Sequence, residues 1–320
     1  MDLSEYQRRA ASTDQQAEDP ERRLLVALLG LAGEVGSLLS EHKKWLRDGN
    51  AHDRAAGVAE DVGDTLWYLA AAASALGLDL SEVAEANLGK VADRWPPAEG
   101  RSEPYTVRLP PPHLFDESYR AEQRLPRQLT VALAPLPGQP GRVIGLVHGG
   151  GLLGNVVGDN AYDDDGYRWH DAIHLAHMAV LGWSPVIRAL LGRKRKDDFI
   201  ADDVEDGGRA IAIEEGIAAS VFEYASRHNW LNQLSVVDTS LLTGLCRLTR
   251  GLEVAAETPL EWEQAILRAF ACWRTLREHD GGLVSVDLDA RSIAYRPLTP
   301  AERVMHSDRT LRALDDRTRA

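Results

Sequence analysis

The sequence predicts a mainly α-helical protein in two parts. The first is an all-α helical bundle, and the second is mostly helical with small β elements. Apolar residues recur at helical spacing through the first 95 residues. A proline-rich stretch from Pro96 to Phe115 then interrupts this pattern. Short apolar stretches typical of strands appear beyond it, between further helical segments. We therefore expect domains at 1–97 and 129–320, joined by a linker or extended connection at 98–128.

Three helices are expected in the first domain. The first carries an apolar stripe formed by Leu24, Leu28, Leu31, Val35, Leu38 and Leu39. The second runs from about Val58 to Leu76, and Gly77 is expected to end it. Ser81 is the expected N-cap of the third helix.

The second domain begins with two predicted strands, in "QLTVALAPL" and "GRVIGLVHGG". Two helices follow, one carrying several histidines, and two more are expected at about Asp238–Gly251 and Pro259–His279. A closing hairpin is predicted from Leu283–Leu288 and Ser292–Tyr295. The charged tail after Pro297 is expected either to fray or to form a short helix.

Composition and charge narrow the class of protein. The formal net charge of −13 repels nucleic-acid backbones, so no direct nucleic-acid binding is expected. No apolar run is expected to reach the ~20 residues that span a bilayer, and the polar N-terminus does not resemble a signal peptide. Cys246 and Cys272 match no metal or redox spacing and are expected to pack as small apolar residues. These features predict a cytoplasmic protein.

Two pairs of acidic residues stand out on the first two predicted helices. Glu34 and Glu41 are seven residues apart, so they lie nearly in line at the edge of the apolar stripe. Asp61 and Asp64 are three apart and share a face. Four carboxylates facing one interior require a cation, and Mg²⁺ prefers such oxygen ligands. Alternatively, each acid forms a surface salt bridge, with candidate partners Lys43, Lys44, Lys90 and Arg94.

The segments "GLAGEVGSLLSEHKKWLRDG" and "EDVGDTLWYLAAAASALGLDLSEVAEANLGKVADRW" resemble MazG-type nucleoside triphosphate pyrophosphohydrolases of the all-α NTP-PPase superfamily. The resemblance covers about Leu24 to Trp95. It implies an all-α bundle, a homodimer or higher homo-oligomer, and Mg²⁺-dependent cleavage of a (d)NTP to a (d)NMP and pyrophosphate, with Mn²⁺ as a possible substitute.

The resemblance also assigns residues. Glu34, Asp61 and Asp64 match the first, third and fourth acids of the family pattern, and Asn87 and Lys90 match its substrate-facing polar positions. Two departures are present: Ser37 stands at the second acidic position, and Asp61 replaces a Glu. We expect Glu41, one turn beyond Ser37, to supply the missing metal ligand and complete the catalytic set.

Further substrate contacts are expected from Lys44 and Lys90, which are suited to phosphate oxygens. Trp67 either stacks on a base or packs in the core. Because of Ser37, a non-hydrolysing nucleotide-binding sensor with a regulatory role is the alternative function for this domain.

A second candidate site lies on the histidine-bearing helix. His170, His174 and His177 fall at i, i+4 and i+7 on one face, and "HDAIH" resembles the zincin motif with Asp in place of Glu. Glu205, Arg209 and Glu214 on the next helix are expected to converge on them. The histidines form either a metal-dependent hydrolase site, which would hold a second transition metal, or a structural hydrogen-bonding face.

The segments "LFDESYRAEQRLPRQ" and "EDGGRAIAIEEGIAASVFEYA" in this part of the chain resemble the C-terminal domain that accompanies some MazG-type domains. The resemblance implies no activity for that domain.

Overall fold

The computed structural model describes residues 1–14, 19–48, 54–94, 109–136 and 143–319. The chain divides into two compact units, Met1–Ala92 and Asp93–Ala320. Within the described residues there are eleven α-helices and one five-stranded antiparallel sheet, and 62% of the chain is helical. The predicted fold class, mainly α with small β elements, is therefore confirmed.

The first unit is built from helices alone in its described residues. They are α1 Leu3–Thr13, α2 Pro20–Asp48, α3 Arg54–Ala75 and α4 Leu80–Arg94. Both α1 and α2 pack against α3. Residues 1–95 were expected to be helical, but no separate helix was placed at the polar segment that forms α1. Its residue Gln7 accepts a hydrogen bond from the Leu80 N–H at 2.8 Å and donates one to the Leu78 carbonyl at 2.8 Å, which joins α1 to the start of α4.

The turn between α3 and α4 follows the predicted glycine stop but not the predicted cap. Gly77 has φ +67°, and the Leu78 N–H donates to the Ala73 carbonyl, which together end α3. The cap of α4 is Asp79, whose Oδ1 accepts the N–H groups of Ser81 and Glu82 at 2.8 and 3.2 Å. The expectation that Ser81 is the N-cap is therefore wrong by two residues. The Asp carboxylate reaches the free N–H groups from the position before the helix.

A glycine allows α2 and α3 to approach closely. A Cβ atom at Gly30 would lie 2.1 Å from Cε1 of Tyr68, well inside van der Waals contact. The Tyr68 ring therefore rests directly on the α2 backbone. By contrast, a Cβ at Gly33 would meet nothing within 4 Å.

Helix α2 exposes much of its apolar surface. Its segment Pro20–Arg47 contains an 18-residue window with a mean hydropathy of 1.6, of which 6% is buried. By length and composition this helix is long enough to span a membrane, so the expectation that no apolar run has that length is wrong. Every 18-residue window within these bounds includes Glu34, whose ionised carboxylate is costly in a bilayer interior. Length and composition of this kind are shared by membrane spans and by helices that pack against other helices.

The second unit is centred on α5, which runs through its hydrophobic core and packs against α10. Every residue of α5 is buried. The helices of this unit are α5 Asp171–Leu181, α6 Pro185–Leu190, α7 Phe199–Val204, α8 Gly208–Arg227, α9 Thr239–Leu248, α10 Pro259–Glu278 and α11 Pro300–Arg319. The tail after Pro297 thus contains a 20-residue helix rather than a short one.

The antiparallel sheet has the strand order β3-β2-β1-β4-β5. Its strands are β1 Gln128–Pro135, β2 Val143–His148, β3 Gly151–Gly158, β4 Gly282–Asp287 and β5 Ser292–Arg296. The two predicted strands and the closing hairpin are confirmed. Strand β3 was not expected, because the sequence around it is rich in glycine. Gly149 and Gly150, with φ +56° and +90°, form the tight turn that joins it to β2.

A chain of buried ion pairs connects the segment before the sheet to the helices. Arg188 on α6 pairs with Asp116 at 2.8 Å and with Asp206 at 3.4 Å. Arg195 pairs with Asp206 at 2.8 Å and with Glu253 at 2.7 Å. Arg195 lies in the basic stretch "GRKRK", yet its side chain is fully buried. Asp116 lies in the predicted connection 98–128, so this part of the connection packs within the second unit.

We predict opposite stability effects for two glycine substitutions in α2. Gly30→Ala should lower the free energy of unfolding by about 1–3 kcal/mol, because the added methyl overlaps the Tyr68 ring. Gly33→Ala should be neutral or raise it by up to about 1 kcal/mol, because alanine favours helix and has open space there. Urea unfolding followed by circular dichroism measures both. Equal effects of the two substitutions would contradict the close α2–α3 contact.

Candidate functional site

The packing of α2 on α3 sets the relative height of the predicted acidic residues. The two helices are joined by a short connection and lie side by side, so they run antiparallel. The Gly30–Tyr68 contact gives their register. Counted four residues from this contact toward the connection between the helices, Glu34 on α2 lies at the same height as Asp64 on α3. Three residues further in the same direction, Ser37 lies at the same height as Asp61.

The four acids differ in exposure. Glu34 and Asp61 are half-buried, whereas Glu41 and Asp64 are exposed. The Oδ2 atom of Asp61 is buried and has no hydrogen-bond partner within the described part of the chain. Glu41 forms an ion pair with Lys44, three residues along the same helix. In a single copy of the chain, Glu34 and Asp61 are thus partly withdrawn from solvent, whereas Glu41 and Asp64 are not.

The predicted substrate-binding residues are in three different situations. The Trp67 indole N–H donates to Thr13 Oγ1 at 2.9 Å, and its ring meets Tyr68 edge to face. The hydrogen bond to Thr13 links α3 to α1, which favours the packing role for Trp67 over base stacking. Asn87 is exposed on α4, and Lys44 is engaged with Glu41. The side chain of Lys90 lies outside the described residues.

Potential metal-binding groups are concentrated in the second unit. Among the described residues, two sets of three His, Cys, Asp or Glu side chains bring their ligand atoms within 4.8 Å of one another. Both sets join α5 to α8. The inner set is His174, His177 and Glu214, and the outer set is His170, His174 and Glu215.

The inner set is fully buried, and its carboxylate has several hydrogen-bond partners. Oε1 of Glu214 lies 3.0 Å from His174 Nδ1 and 3.2 Å from His177 Nδ1. The Ser184 hydroxyl donates to Glu214 Oε1 at 2.8 Å, and the Val186 N–H donates to Oε2 at 2.9 Å. Both carboxylate oxygens thus have partners, and the inner set has the geometry of a structural network.

Electrostatics reinforce this network. Burial opposes ionisation of Glu214, but the charge of His174 and the hydrogen bonds from both histidines outweigh it and lower the Glu214 pKa to about 2. Burial also disfavours a charged His174, yet the nearby carboxylates of Glu214 and Glu215 raise its pKa to about 10. For His177, burial prevails and lowers the pKa. Glu214 is therefore ionised at neutral pH and requires a positive partner.

The outer set opens toward solvent. Nε2 of His174 lies 3.5 Å from Glu215 Oε2, and Nε2 of His170 lies 3.9 Å from the same oxygen. The Glu215 side chain is 45% exposed, whereas His174 is completely buried. The His170 ring stacks on Tyr167 with centroids 4.4 Å apart. This set has both rigid ligands and access from outside.

Two residues expected at this site are elsewhere, and one that belongs there was missed. Glu205 accepts a hydrogen bond from the Glu253 N–H at 3.1 Å. Arg209 is exposed and lines a surface cavity with Asp203 and Leu248. The residue missed is Glu215. The pair "EE" at 214 and 215 was the signal for it, since adjacent helical residues point about 100° apart and one of them faces outward.

The second unit matches a known family, and one further relative has a short match. The family model described as "MazG C-terminal domain" matches residues 110–299, more than half of the chain. The protein called "Gene 37 protein" from Mycobacterium phage L5 is 35% identical over 69 residues. That match spans 21% of this chain and 60% of the phage protein, less than two thirds of its length. No solved structure matches.

The sequence resemblance noted for "LFDESYRAEQRLPRQ" and the helices after it is thereby confirmed for the second unit. The match includes the ion-paired segment around Asp116, the sheet and α5–α10. This chain belongs to the family defined by the MazG C-terminal domain.

Proposed function

We propose that the protein is a Mg²⁺-dependent nucleoside triphosphate pyrophosphohydrolase whose catalytic residues lie on α2 and α3. The observation that carries the proposal is the environment of Asp61. This residue is half-buried, and its buried Oδ2 atom has no hydrogen-bond partner in the described residues. Glu34 lies about one helical turn away in height on the facing helix. Membership of the MazG-related family is consistent with a nucleotide-related function.

The donor set suits Mg²⁺. Glu34, Asp61 and Asp64 offer carboxylate oxygens, and this hard cation is commonly held by one or two carboxylates together with substrate phosphates. Ser37, level with Asp61, supplies a neutral hydroxyl where the family pattern has an acid. Two or three carboxylates still suffice for a site whose remaining ligands are phosphate oxygens and water.

The residues of the chain have separable roles in this proposal. Glu34, Asp61 and Asp64 hold the cation, which when bound neutralises the triphosphate charge and polarises the phosphorus. A carboxylate of this set that keeps a free oxygen orients the attacking water and accepts its proton. Asn87 and Lys90 are the proposed substrate contacts on α4. Lys44 contacts a phosphate oxygen only if it leaves Glu41, which it pairs with in the free chain.

Replacing Asp61 should abolish turnover. Asp61→Asn keeps the side-chain shape but removes the charge that binds the cation, so we expect pyrophosphate release from (d)NTPs with Mg²⁺ to fall about 100-fold or more. Glu21→Gln, an exposed acid at the other end of α2, is the matched control and should retain full activity. A panel of canonical and modified (d)NTPs provides the substrates. Equal activity of Asp61→Asn and wild type would refute the site.

Glu41 is tested separately, because its exposure and its pair with Lys44 leave its role open to experiment. If Glu41 replaces the acid missing at Ser37, Glu41→Gln should lose activity as Asp61→Asn does. For Glu41 to take the place of the missing acid, its ion pair with Lys44 must break when substrate binds. Activity at the level of the Glu21→Gln control would assign Glu41 to the surface and leave three carboxylates at the site.

A nucleotide-binding sensor is the second candidate function. Ser37 and the Glu41–Lys44 pair favour it, because together they remove one acid from the expected set of four. Calorimetry with the same nucleotides separates the two functions. Tight binding without product formation supports the sensor, whereas turnover excludes it.

We also propose that the first unit assembles as a homodimer or larger oligomer. Large apolar side chains are exposed on three of its helices, among them Leu29 and Leu39 on α2, Leu69 on α3 and Leu88 on α4. A cytoplasmic location and the absence of a membrane or direct nucleic-acid partner remain predictions.

Light scattering should give a mass of at least twice the 35.2 kDa of one chain. Leu29→Glu should shift the protein toward monomer, because it places a charge on the exposed apolar face of α2. Ile200→Glu, at an exposed apolar residue of the second unit, is the control and should leave the mass unchanged. A monomeric wild-type protein at micromolar concentration would contradict the assembly.

A further inference from the structure

Two histidines of the outer set present nitrogen lone pairs to one carboxylate oxygen. Nδ1 of His170 lies 2.9 Å from the Tyr167 carbonyl, and Nδ1 of His174 lies 3.0 Å from Glu214 Oε1. Because both oxygens only accept, each Nδ1 carries the proton and donates. When a metal ion displaces any second proton from these rings, each Nε2 offers a free lone pair. Both Nε2 atoms are directed to the side where Glu215 Oε2 lies.

The distances from Glu215 Oε2 to the two Nε2 atoms suit ligands of one metal ion. The two Nε2 atoms lie 3.5 and 3.9 Å from Glu215 Oε2, longer than the ~2.7–3.2 Å of a hydrogen bond. Ligand atoms about 2.1 Å from a tetrahedral Zn²⁺ are separated from one another by about 3.4 Å. Nε2 of His174 is completely buried and has no hydrogen-bond partner among the residues that the structure describes. The cation between His174 Nε2 and the Glu215 carboxylate is either a proton on that nitrogen or a metal ion that displaces it.

The surroundings hold these ligands in position. Glu214 fixes the tautomer and the ring orientation of His174, and is itself fixed by Ser184 and the Val186 N–H. A carboxylate behind a histidine ligand is the usual outer-shell arrangement at metal sites. Tyr167 stacks on His170 and accepts its Nδ1–H. Asp171, in the first turn of α5, adds a second carboxylate whose buried Oδ2 lacks a partner in the described chain.

We propose that His170, His174 and Glu215 bind a divalent first-row transition metal ion, with Zn²⁺ as the best match to two imidazoles and one carboxylate. The half-exposed Glu215 leaves a coordination position open to water on the solvent side. His177 does not take part. Its Nδ1 bonds to Glu214, and its ring packs against Trp262 with centroids 5.5 Å apart.

This site is independent of the proposed Mg²⁺ site. The acids of the first unit offer only oxygen ligands, whereas the outer set offers two nitrogens, which favour transition metals over Mg²⁺. Co²⁺ is a suitable probe, because its visible absorption reports nitrogen ligation and a low coordination number. The alternative occupant is a proton on His174 Nε2, shared with Glu215.

The test is a titration of the full chain, freed of metal with EDTA, with Co²⁺ and then Zn²⁺. We expect one equivalent of Co²⁺ to give intense visible absorption, and Zn²⁺ to displace it. Glu215→Gln and His170→Ala should each weaken binding at least about tenfold. Neither side chain is completely buried, and circular dichroism checks that both variants fold. Glu223→Gln, an exposed acid on the same helix that pairs with Arg227, should bind as wild type does.

Two results would overturn the proposal. In the first, Glu215→Gln and His170→Ala bind Co²⁺ as wild type does, whereas Asp61→Asn does not bind it. This result would place the metal on the first unit. In the second, folded wild-type protein binds neither Co²⁺ nor Zn²⁺ tightly. This result would leave a proton as the cation between His174 and Glu215.

Discussion

A single buried carboxylate, that of Glu214, connects three helices of the second unit. It lies on α8 and accepts hydrogen bonds from α5 through His174 and His177 and from the start of α6 through Ser184 and Val186. An isolated carboxylate at this depth would be very costly, so these partners are a requirement of the fold. Because Glu214 binds Nδ1 of His174, it turns Nε2 of that ring outward to Glu215. The geometry of the outer histidine set therefore follows from the hydrogen bonds that satisfy the buried carboxylate of Glu214.

The first unit follows a different physical rule. Its buried apolar residues, among those the structure describes, are alanines: Ala10, Ala27, Ala70, Ala72 and Ala73. Small residues and Gly30 let the helices approach closely, while larger apolar side chains such as Leu29 and Leu39 face outward. One copy of this unit thus leaves much of its hydrophobic stabilisation unused. The proposed assembly and the proposed acidic site are linked through this fact, since both lie along α2.

Periodicity in the sequence was sufficient to predict the longer helices and several strands. The apolar stripe through Leu24 and Leu31 predicted α2, and alternating apolar residues predicted β1 and the closing hairpin. Helix α1 was missed because its composition is polar and one face of it rests on α3. Strand β3 was missed because glycines at 149, 150, 151 and 154 resemble a loop.

Side-chain partners were harder to predict than elements. Spacing on one helix placed His170, His174 and His177 together, but it could not show which of Glu214 and Glu215 faced inward. Arg195 has basic neighbours in sequence, a pattern that is typical of a solvated loop and does not predict a buried side chain. Its acidic partners, Asp206 and Glu253, come from separate elements that only folding brings together. In the first unit, the register of α2 on α3 decides the acid arrangement, and a single contact between Gly30 and Tyr68 gives that register.

The central claim is that the carboxylates of α2 and α3 hold a divalent cation together with a nucleoside triphosphate. The most direct measurement is anomalous diffraction at the manganese edge, from crystals of the full chain grown with Mn²⁺ and a non-hydrolysable dNTP analogue. We expect a manganese peak in contact with Glu34, Asp61 and the analogue's phosphates. Nucleotide bound without manganese at these acids, or manganese found only at the histidines of α5, would contradict it.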